Sequence, residues 1–136
     1  ELPKSVFSLI GAVAGKNLFL ALTLLKDMLD NGEPPLRLLA VINWHYRLTG
    51  EALRYATLKE HEKLNRIHKS PLVVNKIKNQ IRNMELSDLG IIFSHLKEAD
   101  RLLKGSRLAP GQIMVSLIFN LTTMKYGTHS REHRPK

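Results

Sequence analysis

The residues best suited to chemistry in this chain are scattered, and each group lacks something its chemistry needs. Gly11-Ala12-Val13-Ala14-Gly15-Lys16-Asn17 has the glycines and lysine of a nucleotide-phosphate loop. Such a loop needs a longer gap between its glycines than the three residues here, a hydroxyl after the lysine to hold Mg²⁺, and a strand before it. Asn17 takes the hydroxyl's place, and Val6 to Val13 has helical spacing. A helix–turn–helix corner with Gly15 as C-cap accounts for the segment. His129 and His133 stand four apart, a spacing that sets two imidazoles on one face of a helix. Their surroundings are polar, follow a glycine, and lack the glutamate a zinc protease places beside its first histidine. His45 reads as a polar residue at the edge of a packed helix, and His95 as solvated. Paired carboxylates for acid–base work need a shared cleft, yet Glu85, Asp88, Glu98 and Asp100 fall near helix ends or on outward faces. Without cysteine or a serine in a nucleophile elbow, covalent catalysis has no starting point. We therefore expect no enzyme, and no catalytic, cofactor-binding or metal-ligating residue.

The elements that would hold these residues are helical throughout. A chain of 136 residues is one domain by length and can bury a core without disulfides or metal. No apolar run approaches the roughly 20 residues of a membrane span, and the first residues lack the basic-then-apolar order of a signal peptide. The start at Glu1 rather than Met suggests a piece of a longer protein. The net charge of +9 favours anionic partners such as nucleic acid, or simply a soluble basic surface.

Ser5 should cap a first helix that Gly15 stops. Asn17 should cap a second, with a stripe of Leu18, Leu22, Leu25 and Leu29, ending at Asn31-Gly32. Pro34-Pro35 opens a third, running to about Tyr55 with apolar residues on more than one face, a pattern of central or interfacial helices. A short helix is expected around Glu62 to His68. Ser70-Pro71 begins the next, with Val74, Ile77 and Ile81 inward. Ser87 should cap a sixth that Gly105 closes. Pro110 opens the last, whose stripe of Ile113, Met114, Leu117, Ile118, Leu121 and Met124 is the cleanest in the chain. Short connections between such helices imply a compact all-α bundle of about six helices. Residues 1–126 form the expected domain, and 127–136 a flexible basic tail.

The strongest electrostatic feature is Arg54 to Arg82, with eight lysines and arginines against Glu60 and Glu62. Its helix, Ser-Pro turn and longer helix could present Asn75, Lys76, Asn79 and Arg82 to nucleic acid. The plainer reading is a solvated face opposite a core stripe. If the segment touches DNA, the contacts expected are Lys69, Lys76, Lys78 and Arg82. A stand-alone basic nucleic-acid-binding module is thus the alternative function.

The order of these patterns carries a resemblance. SVFSLIGAVAGKNLFLALTLLKDMLDNGEPPLRLLAVINWHYRL, then RIHKSPLVVNKIKNQIRN, then LSDLGIIFSHLKEADRLLKGSRLAPGQIMVSLIFNL resemble the C-terminal domain of the delta subunit of the bacterial DNA polymerase III clamp loader. The likeness spans roughly Ser5 to Leu121. It implies an all-helical collar domain that packs beside equivalent domains of the delta-prime and gamma or tau subunits, in a cytoplasmic complex that loads the sliding clamp on primed DNA. It implies no ATP hydrolysis by delta, contact with the clamp only through an N-terminal domain absent from this sequence, and no membrane. The tail from Lys125 and the bulky Trp44-His45-Tyr46 cluster depart from the family pattern. As subunit-interface residues we expect Val41, Trp44, His45 and Leu48 on the third helix, and Met114 and Ile118 on the last.

Overall fold

The computed structural model describes residues 4–127, and every regular element among them is an α-helix. In chain order these are α1 (Lys4–Ala14), α2 (Leu18–Asp30), α3 (Pro35–Thr57), α4 (His61–Asn65), α5 (Pro71–Ile81), α6 (Leu86–Gly105) and α7 (Pro110–Thr123). The described residues thus hold seven helices, the short α4 included, where a bundle of about six was expected. The pair His129 and His133 lies outside the described residues, as does the expected tail beyond Gly127. Gly127 itself is buried and donates its N–H to Asp88 Oδ2 at 3.0 Å.

Helix ends follow local chemistry. The Asn17 side chain accepts the Leu20 N–H at 3.1 Å, satisfying one of the donors that a helix start leaves open. α1 closes with Lys16 N to Val13 O and Asn17 N to Ala12 O, the paired bonds of a Schellman motif. Gly15 precedes the turn as expected, but the left-handed residue is Lys16, at φ 61°. α2 closes the same way around Gly32, φ 86°, and α3 around Lys59, φ 59°. Proline enters α3, α5 and α7 in the first turn, where its missing N–H costs no helical bond. α4 is shorter and earlier than expected, because the bends after Asn65 break the helix before His68.

The residues fall into two units. One takes the chain up to Trp44 together with Ile92–Met124; the other takes His45–Ile91 and the segment from Lys125. In the first unit α2 packs on α1 and α7, and α1 also meets α7. Its core is made by Leu9 and Val13, by Ala21, Leu25 and Met28, and by Ile113, Met114, Leu117, Ile118 and Leu121 of α7, while Met124, expected to extend that stripe, caps the helix half-buried. On α2 the leucine stripe is therefore displaced by one helix position. Leu25 is central, while Leu22 and Leu29 are only half-buried at the flank. Each large apolar side chain taken fully from water contributes about 1.5–3 kcal/mol. In the second unit α4 packs on α5. Val74, Ile77 and Ile81 are buried there with Tyr46, Ala52, Leu53, Leu64 and Met84.

Candidate functional site

The first unit carries an unfilled groove of about 810 Å³ beside α2 and α7. Leu22 and Leu29 of α2 line it, with Gly111 and Val115 of α7. A Cβ at Gly111 would make only an ordinary contact, 3.9 Å from Leu29 Cδ1. The rim charges Lys26 and Asp30 neutralise each other at 2.6 Å. One turn before Leu22 stands Phe19, 84% exposed, and one turn after Val115 stands Phe119, half exposed. An antiparallel helix pair thus turns leucine, valine and two phenylalanines to solvent. Isolated exposed apolar residues are ordinary; a contiguous set marks an interaction surface. The Lys16 ammonium donates to the Leu121 carbonyl at 2.9 Å, tying the corner that resembled a phosphate loop to the end of α7. That lysine is committed to helix packing.

The expected interface residues separate by burial. Met114 and Ile118 are 0% exposed, and Val41 is buried. The inward side of α7 claims the first two completely, leaving them no area to offer a neighbour. The outward side of the same helix is formed by Val115 and Phe119, which were not among the expected residues. A strict i, i+4 apolar pair opposite the core stripe was the available signal. Trp44 keeps about two-fifths of its surface and Leu48 is half-buried.

His45 belongs to a polar cluster in the second unit. Its Nε2 donates to Gln80 Oε1 at 3.0 Å. The Thr49 hydroxyl lies 3.3 Å from the same oxygen and donates to the His45 carbonyl at 2.9 Å. The Tyr126 hydroxyl sits against Gln80 and Tyr46. Burial pushes the His45 imidazole down to about 4, against the opposing hydrogen bond from Gln80, and pushes the Tyr46 phenol well up. The ring is therefore neutral at physiological pH, and the cluster joins α3, α5 and the segment after α7.

Asp88 has a buried role. It lies near a helix end as expected, in the first turn of α6, but is 0% exposed. Its Oδ2 accepts the Glu85 N–H at 2.7 Å and the Gly127 N–H at 3.0 Å. The carboxylate thus caps the start of α6, a role the sequence had suggested for Ser87, which is exposed. Glu98 pairs with Arg101, and Asp100 with Lys104 at 2.9 Å, both on the surface. Among the described residues no three histidines or carboxylates are grouped to hold a metal. Also among them, no helix is long and apolar enough to cross a membrane.

The basic residues gather on α5 and the turn before it. Lys69, Lys76 and Arg82 are exposed and Lys78 is half-buried, while Val74, Ile77 and Ile81 occupy the opposite side. A cavity of about 230 Å³ opens beside them, lined in part by Asn65, His68, Lys69, Asn75 and Lys78.

Among the described residues the fold is all-helical, with an apolar groove beside α2 and α7 and a cationic side on α5. The particular family follows from comparison. The family model described as DNA polymerase III delta subunit, C-terminal domain, matches residues 3–122, and the chain belongs to that family. The all-helical fold agrees with it, and the family places the chain with the clamp loader of DNA replication. No curated protein matches the chain, and no solved structure does.

Proposed function

We propose that this chain is the assembly segment of a bacterial clamp-loader delta subunit. In that role it packs, collar-fashion, against the delta-prime and gamma or tau subunits, so that the cytoplasmic complex can load the sliding clamp on primed DNA. Residues 1–126 act as the assembly domain. The chain contributes binding area and no catalytic step, and the clamp is met by parts of the delta subunit outside this sequence. Family membership supports the setting. The observation that carries the mechanism is the open groove lined by Leu22, Leu29 and Val115 of α2 and α7, with Phe19 and Phe119 exposed on the same two helices. A permanent interface of this kind buries on the order of 2,000 Å² or more and is richer in apolar area than the remaining surface. Phe19 and Phe119 supply aromatic side chains of the kind enriched at interface centres. Trp44 and Leu48 remain interface residues in this reading, with His45 holding the helix that bears them.

The test mixes the chain with partner collar domains and measures complex mass by light scattering. Wild-type chain should enter a complex of defined mass. Phe19→Asp combined with Phe119→Asp should abolish it while helicity is kept, since both side chains already face water. A double variant that still assembles would refute the face chosen. A wild-type chain that ignores every partner collar would refute the assembly role.

A further inference from the structure

The outward side of α5, in the second unit, has no apolar logic beyond Leu72 at its start. Along that side run Asn75, Lys76, Asn79, Arg82 and Asn83, all exposed, at the helical spacing that makes one face. Pro71–Ile81 contains no acidic residue. Lys69 and Lys78 flank the face, beside the cavity that Asn65, His68 and Asn75 help to line. Most nearby acids are otherwise engaged. Glu60 pairs with Lys63 at 2.8 Å, Glu51 accepts from the Tyr55 hydroxyl at 3.1 Å, and Asp88 is buried against backbone N–H groups. Glu62 and Glu85 stand as counter-charges at the margins.

We propose that this face of α5, with Lys69, Lys76, Lys78 and Arg82 as its cations, binds the sugar–phosphate backbone of duplex nucleic acid. This goes beyond assembly, and it uses a different unit of the chain from the α2–α7 groove. Charge complementarity selects a polyanion. The interleaved asparagines select nucleic acid over an acidic protein surface, because amides hydrogen-bond to phosphate and sugar oxygens, whereas protein interfaces rely on a desolvated apolar and aromatic centre. Duplex is selected over single strands by the aromatic residues. Single-strand binders stack bases on exposed rings. Here Tyr46 is buried, and Arg54 and Lys63 lie over the Tyr55 ring at 5.6 and 5.9 Å. A backbone contact of this kind is indifferent to base sequence.

The experiment uses the whole chain and a fluorescent duplex of about 20 base pairs, followed by anisotropy from about 50 mM salt upward. Four cations on one face should give a log–log salt slope of about −3 to −4, near −0.9 per neutralised phosphate. Lys76→Glu with Arg82→Glu should weaken binding by about tenfold for each phosphate no longer neutralised, and flatten the slope by about two. Both side chains are exposed, and circular dichroism should show unchanged helicity. Lys97→Glu with Arg107→Glu makes the same charge change at exposed positions elsewhere, and should leave affinity within about threefold. Absence of binding at about 50 mM salt would overturn the proposal. So would equal losses in the two double variants, which would reduce the effect to net charge. Polyglutamate competing as well as duplex would overturn it in favour of an acidic protein, and single strands binding tighter than duplex would overturn the choice of backbone. None of these outcomes bears on assembly with partner collars, so the two readings fail separately.

Discussion

Two buried polar residues set the chemistry of the second unit. His45 is held neutral by burial, at about 4 against an ordinary 6.5. The unfolded chain therefore takes up a proton between those values that the folded chain refuses. Stability contributed by the neutral ring is complete above pH 6.5 and is lost as pH falls toward 4. From the shift the loss is on the order of 3 kcal/mol. Urea titrations across that range should show it. His45→Gln, which still donates to Gln80 but cannot titrate, should remove one proton's worth of slope. An unchanged slope would show that His45 protonates freely in the fold. Asp88 is a second such point. Asp88→Ala strips a buried cap from two backbone donors, and should cost roughly 2 kcal/mol, read as a lower Tm. Neither role was legible in the sequence. The local partner of Asp88, Glu85, is three positions away, but the contacts that bury His45 and Asp88, with Gln80 and Gly127, lie 35 and 39 positions away. Long-range polar pairing leaves no periodic trace.

Helix positions, by contrast, were legible almost throughout. Caps and prolines act within one turn, so Asn17, Pro35, Pro71, Gly105 and Pro110 mark observed ends. Core stripes of α5 and of α7 up to Leu121 were equally plain, because apolar spacing records the buried side directly. What spacing left open was which side of an apolar helix faces inward. α2 carries leucine on two adjacent stripes, and only packing decided that Ala21, Leu25 and Met28 go to the core. The same ambiguity placed Met114 and Ile118 at an interface, when the outward pair on α7 is Val115 and Phe119. Turn conformation was also hidden. Lys59 occupies a left-handed position that glycine fills at Gly32. A side chain there costs on the order of 1 kcal/mol. Lys59→Gly should therefore stabilise the chain by up to about 1 kcal/mol, less the added freedom of the unfolded chain, with a matching rise in Tm. A fall in Tm would mean that the lysine side chain contributes more than its backbone strain.

For the whole molecule, what it does rests on its outside. The fold class and the family were readable because helical order persists over most of the chain, and the family match covers residues 3–122. The apolar groove was not readable, since Phe19 and Phe119 look like core residues until their neighbours are known. Ile118→Asp and Phe119→Asp, adjacent in sequence, should therefore differ in kind. The first should unfold the chain, at several kcal/mol for an unpaired charge in a dry core. The second should leave stability within about 1 kcal/mol of wild type and act only on assembly. Thermal melts and light scattering on the pair would separate the two; similar melts would mean that α7 has been assigned the wrong inner side. The two units are also threaded through each other along the chain, each built from two segments separated by a stretch of the other. On the ribosome, α1 and α2 must wait for α7, and the Gly127 amide reaches Asp88 only after α7 has emerged. Maturation is thus deferred to the close of this segment's synthesis, and no single protease cut can release either unit as one uninterrupted peptide.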